Sequence, residues 1–435
     1  MKANSITTYF YVLAIGIIAV HRAGAQPTIY PAKPQEQAIA ITGGTIHVGD
    51  GRVIEHGTLV FEGGKIIGVG STAAIPAGAH TVDATGKHIY PGFVAPNTNL
   101  GLVEIQSVKA TADYAEVGEN NVHVRSLIAY NTDSKVINTL RSNGILLAQI
   151  TPQGGLISGQ SSIVQLDAWN WEDAAYKVDE GIHVHWPAIP FSRSGNAAAQ
   201  DQVQSQIDLL NDYLLEARAY GELTGNYTVN PRFEALRAVF SGDRQVYVHA
   251  NKAKDIISAV TALKRHGIRP VLVGGAEAHL VTDLLKDNQV AVVLRQPHSL
   301  PSGTDVDVSL PFRQAKLLTD AGILVAYSIE GFWQQRNLPF MAGTAAAYGL
   351  DKEQALAMIT SNAARILGID DRTGTLQVGK DANIIISTGD ALDMLGNNIE
   401  RAFIQGRDIT LDDLHKQLFE RYQYKYGMAG EQQEQ

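Results

Sequence analysis

Imidazoles and carboxylates are the side chains here whose type and spacing could do chemistry, because together they bind divalent metals and move protons. Tyr247-Val248-His249-Ala250-Asn251 closes an apolar run with a histidine. A histidine that ends a barrel strand is either a hydrogen-bonded rim residue or a ligand, since catalytic groups gather at that face. In His183-Val184-His185, alternation would put both imidazoles on one strand face, as in a metal pair. Trp186-Pro187 follows at once and no third ligand stands at matching spacing, which favours two exposed histidines on a half-buried strand. Gly274-Gly275-Ala276-Glu277-Ala278-His279 places His279 in the first turn of a helix that Glu277 would cap. His298, in Arg295-Gln296-Pro297-His298, is a further rim candidate. Glu330 ends Val325-Ala326-Tyr327-Ser328-Ile329-Glu330. A carboxylate in a cavity needs a cation or donors, and Arg336, in Arg336-Asn337-Leu338-Pro339-Phe340, is the nearby candidate.

The elements that must position these groups alternate along the middle of the chain. Strands are expected at Ile89–Val94, Ile145–Ile150, Ser162–Leu166, Gln245–His249, Pro270–Val273, Gln289–Leu294 and Ile323–Tyr327. Helical patterns cover Asp201–Glu222, Ala253–His266, Ala276–Leu285, Pro311–Ala321, Leu338–Tyr348 and Lys352–Leu367. Strand and helix in series predict a parallel sheet, and about eight units predict a closed (β/α)8 TIM-type barrel over 91–373. The stretch 151–235 is less regular and reads as insertions. Short apolar strands punctuated by Gly-rich turns occupy 38–90 and return over 374–410, so a small β-sandwich domain formed by both chain ends is expected. A C-terminal helix and polar tail complete the chain over 411–435.

Composition narrows the partners. A net charge of −9 on 435 residues, with no segment concentrating Lys and Arg, argues against nucleic acid and anionic membrane. Cysteine is absent, which excludes disulfides and thiolate metal sites. Lys2, the apolar run Tyr9 to Val20 and Ala23-Gly24-Ala25 read as a secretory signal over 1–25, with the mature chain beginning near Gln26. The run is short of the roughly 20 apolar residues a membrane span takes. Export without cysteine suits a bacterial periplasm, with no membrane contact after cleavage.

Two stretches carry a family resemblance. Gly86-Lys87-His88-Ile89-Tyr90-Pro91-Gly92-Phe93-Val94 stands where the small domain meets the first barrel strand. Thr360-Ser361-Asn362-Ala363-Ala364-Arg365-Ile366-Leu367-Gly368 is followed by Gly374-Thr375-Leu376 and Gly379-Lys380-Asp381-Ala382-Asn383. Together they resemble the amidohydrolase superfamily, in particular its imidazolonepropionase-like branch, from about Ile39 to Arg407. The markers fix fold and not function. The resemblance implies one or two divalent metals, usually zinc, and hydrolysis of carbon–nitrogen bonds in small or cyclic amides, because a metal lowers the pKa of bound water from about 15.7 to about 7. It places a His-x-His metal pair after the first barrel strand, where this chain has Ala95-Pro96-Asn97-Thr98-Asn99. Amide oxygens replace imidazole poorly, so Asn97 and Asn99 either mark a degenerate metal site or only hydrogen-bond neighbouring loops. The resemblance makes His249 a metal ligand, His279 the nearest match to a second, and Glu330 the catalytic acid in an aspartate's place, on a stem longer by ~1.5 Å. His298 and Arg336 would line the substrate pocket. A strand-four ligand is not placed, although Lys177 and Glu216 lie in the irregular stretch. Two functions follow: a hydrolase of small amides, or a catalytically silent paralogue without metal that binds a small molecule or partners an active relative. A homo-oligomer is expected by analogy.

Overall fold

Two eight-stranded sheets carry the fold. The computed structural model describes residues 29–188, 197–301, 303 and 306–428. The expected leader over 1–25 and the last residues of the polar tail lie outside the described residues.

The first sheet takes β1 (Ile39–His47), β2 (Val53–Glu62), β3 (Lys65–Gly70), β4 (His80–Asp83) and β5 (His88–Pro91) from one part of the chain. It takes β14 (Ile384–Ser387), β15 (Ile399–Ile404) and β16 (Arg407–Ile409) from the other. They join in the order β16-β15-β14-β5-β1-β2-β3, with β4 beside β1. The expected two-layer sandwich is instead one continuous sheet that curls around its own core. Phe61 of β2 and Phe403 of β15 are distant in strand order yet meet edge to face at 5.0 Å. Pro91-Gly92 hands the chain from β5 to the second sheet. The return runs through Leu376 N–H to Val48 C=O (2.9 Å) and Gly379 N–H to Ile66 C=O (2.8 Å).

The second sheet contains β6 (Phe93–Thr98), β7 (Ile145–Ile150), β8 (Ile157–Gln165), β9 (Ala175–His185), β10 (Gln245–Ala250), β11 (Pro270–Gly274), β12 (Val292–Leu294) and β13 (Val325–Tyr327), paired in that order. All neighbours run parallel except β8, which is antiparallel to both β7 and β9. Only Thr151–Leu156 separates β7 from β8, whereas a parallel return takes a crossover of roughly a dozen residues or more. The uniform βα series expected here therefore breaks at the third strand. The stretch expected to hold insertions supplies β9, the fourth barrel strand. Its Gly181 lies against Tyr247, where a Cβ would come within 2.2 Å of the ring.

The two ends of this sheet are not hydrogen-bonded to each other, and the segment after Ala357 fills the gap. Val94 N–H donates to Ile359 C=O (2.8 Å), and Asn362 Nδ2 donates to Val325 C=O (3.0 Å). That wedge is why the expected single helix over Lys352–Leu367 is two, Lys352–Ala357 and Ser361–Ile366. Inside the barrel, Val94, Leu147, Ile163, Tyr247, Val273, Val293 and Ala326 pack on Ala363, Ala364 and Ile366. The outer face packs against the helices.

One buried carboxylate locks the sheets together. Asp167, just past β8, receives Arg141 from the helix Lys135–Ser142, Arg407 Nη1 from β16 (2.9 Å) and Ala32 N–H (2.8 Å). Asp167 is 1 % exposed and Arg141 4 %. Removing one member of such a group strands a buried charge, so Asp167→Ala should lower unfolding stability by about 3–5 kcal/mol in a urea titration.

Candidate active site

The site is built at the C-terminal ends of the barrel strands, around a carboxylate the sequence did not single out. Glu180 of β9 is 2 % exposed. Gln149 Nε2 of β7 (2.6 Å), Ser161 Oγ of β8 (2.6 Å) and Tyr247 Oη of β10 (2.9 Å) all donate to it. Burial pushes its pKa up, and these donors pull it back. It is an acidic group on the fourth barrel strand, in the stretch read as insertions.

From Glu180 a hydrogen-bonded chain runs to the rim. Ser161 Oγ spends its proton on Glu180, so with Glu180 ionised it accepts from His183 Nε2–H (2.9 Å). His183 Nδ1 then holds a lone pair and accepts from His249 Nε2–H (2.9 Å). His249 keeps only its Nδ1 lone pair free of this chain. His185 stacks on His249 with centroids 4.3 Å apart. The His183/His185 pair expected on an exposed strand face is thus the inner wall of the barrel, with His183 fully buried. Burial holds all three imidazoles below the usual histidine range, with further depression at His183 from His185 and at His185 from Arg295. For His249, burial acts first, then His185, His183 and Arg295.

The same carboxylate reaches the first strand. Gln149 Oε1 accepts Asn97 N–H (2.8 Å). Between Ala95 and Thr98, β6 carries one residue more than β7 opposite it, a bulge, and Asn97 sits there at φ 52°. Asn tolerates this left-handed conformation far better than most residues.

Above the network lies a cavity of about 750 Å³, within the range of small-molecule sites. Asn97, Asn99, His185, His249, Arg295 and Glu330 are among its lining. Three of the predicted residues lie elsewhere or act otherwise. His279 occupies the short turn Ala278–Leu280 and is not among the lining residues, while Glu277 caps the helix Ala253–Arg265 by accepting Ala253 N–H (2.8 Å). His298 bonds Thr344 Oγ1 (2.8 Å) and lines a separate cavity with Phe340 and Asp390. Arg336 sits in the turn Gln334–Asn337, where its carbonyl accepts Asn143 Nδ2 (2.8 Å). The cation beside Glu330 is Arg295, at 2.5 Å, and not Arg336.

A divalent metal does not fit this donor set. Among the described residues no three His, Cys, Asp or Glu side chains gather as ligands. The segment 189–196, which follows the cavity residue Ala188, contains none of these residue types. Asn97 and Asn99 offer neutral amides where imidazoles would serve, and Glu330 is paired with Arg295.

The buried imidazoles set a pH dependence. Their folded pKa values lie below the unfolded value of 6.5, so the unfolded chain binds protons that the folded chain refuses. Stability is present above about pH 6.5 and falls as pH drops below it. Urea midpoints from pH 8 to 5 should show this fall, and His183→Gln should flatten it.

The comparisons with known proteins fit this geometry. The sequence profile of the amidohydrolase family matches residues 70–409. Amidohydrolase tasK of Hapsidospora irregularis is 25% identical over 370 residues, which cover 73% of this chain but only 37% of that protein. The imidazolonepropionase of Staphylococcus saprophyticus is 24% identical over 369 residues, or 78% of this chain and 85% of the relative. The crystal structure of an amidohydrolase from Thermotoga maritima shares the fold at TM-score 0.75 and 22% identity, covering 86% of this chain and 99% of that one. The profile match spans most of the chain, which therefore belongs to the amidohydrolase family, hydrolases of carbon–nitrogen bonds, in its imidazolonepropionase-like branch.

Proposed function

We propose that this chain is an exported, small-molecule-binding member of the amidohydrolase family, without the metal-driven hydrolysis of its relatives. One observation carries the reading: the groups at the ligand positions are replaced or already engaged. Asn97 and Asn99 stand at the end of the first barrel strand where imidazoles would serve, and Glu330 is paired with Arg295. The cavity itself is retained, and its walls suit an amide-bearing ligand. Trp186 Nε1 is a buried donor and Asn251 Oδ1 a buried acceptor, both on lining residues and both without a hydrogen-bond partner among the described residues. Buried polar atoms are nearly always paired, so these two are available to a ligand in the cavity.

Export rests on the leader-like sequence over 1–25. Among the described residues no helix is long and apolar enough to cross a membrane. Hydrolysis of a small cyclic amide is the second reading, favoured by His249, which keeps its strand-end position on the cavity wall.

Metal analysis of the purified protein separates the two. Well below one zinc or manganese per chain is expected, even after either ion is added. Stoichiometric uptake would overturn the binding-protein reading. A panel of lactams, hydantoins and N-acyl amino acids should raise the melting temperature without releasing hydrolysis product. The double change Asn97→His with Asn99→His should leave zinc uptake low, because Arg295 and its pairing with Glu330 remain.

A further inference from the structure

Arg295 is the feature of this cavity that neither the fold nor the lost histidines require. It leaves the end of β12, half-exposed, and lines the cavity together with His185, His249 and Glu330. Its Nη2 lies 2.5 Å from Glu330 Oε1, and Glu330 N–H is fixed by Gln296 Oε1 (3.0 Å). The residue beside Arg295 thus holds the backbone that carries the arginine's counter-ion. Acid and imidazole, the types of group that elsewhere hold a dication, here share the cavity with a guanidinium that no pH near neutrality can discharge.

From this arrangement we infer that Arg295 supplies the positive charge of the cavity in place of a metal ion, with Glu330 as its counter-ion. The inference rests on the proposed absence of a metal and gives its cause. A dication entering the cavity would meet a fixed like charge. The influence of Arg295 is already felt by both imidazoles, which it disfavours in their charged form. The Arg295–Glu330 pair is about half-exposed on each side. Such pairs are weakly held, so Glu330 can yield to a ligand. An electronegative ligand atom, a carbonyl or carboxylate oxygen, would then meet a guanidinium with up to five N–H donors in a fixed fork.

Zinc titration by calorimetry of the wild-type protein, Arg295→Met and Arg295→Lys tests this. Wild type and Arg295→Lys should take up little zinc. Arg295→Met removes the charge and frees Glu330, so its zinc affinity should rise by roughly tenfold or more. Arg295→Gln, a polar and neutral change, should behave as Arg295→Met does and covers the case in which the methionine variant folds poorly. No gain in either neutral variant, or an equal gain in Arg295→Lys, would overturn the inference while leaving the proposed function standing. Stoichiometric zinc in the wild-type protein would instead overturn that function.

Discussion

A carboxylate sealed inside a barrel must be satisfied, and the way Glu180 is satisfied organises the site. Three barrel strands send it a donor each, through Gln149, Ser161 and Tyr247. Each of these side chains is committed by that bond to one orientation. Gln149 then has only its oxygen left, which fixes Asn97 N–H at the bulge. Ser161 has only acceptor capacity left, which fixes His183, and His183 in turn fixes His249. With Glu180 ionised, the tautomers along the chain follow from the charge at its base. A buried polar network of this sort is useful only when complete, because each unpaired member would carry a desolvation penalty.

The site diverges from a metal centre at several places. Asn97 and Asn99 put neutral amides where imidazoles would serve. The ion pair on the other side of the cavity occupies Glu330. These features are mutually consistent, so the cavity reads as rebuilt around internal hydrogen bonds and one fixed cation. Single ligand losses do not describe it.

The frame is untouched by this rebuilding because its locks lie elsewhere. Asp167 ties β16 and the helix Lys135–Ser142 to the end of β8. The wedge after Ala357 completes the barrel between β6 and β13. Neither lock uses a cavity residue. A fold whose stability and site are held by separate groups can lose one chemistry and keep its architecture.

Sequence by itself determined the barrel, the sharing of the small sheet by both chain ends, the family and the absence of histidine at 97 and 99. These rest on local signals: strand and helix periodicity, Gly and Pro punctuation, and motifs contiguous in the chain. It also put His249 and Glu330 at strand ends, where both line the cavity. Tertiary structure alone decided the rest. That His183 points inward depended on β9 being a barrel strand, which the antiparallel hairpin from β8 hid from a repeating βα pattern. The placing of His298 and Arg336 away from the cavity depended on how long loops pack. The partner of Glu330 came from the neighbouring strand end and not from the next segment along the chain. The value of a polar side chain depends on what faces it, and that is set by contacts between residues far apart in sequence. Spacing records only neighbours along the chain.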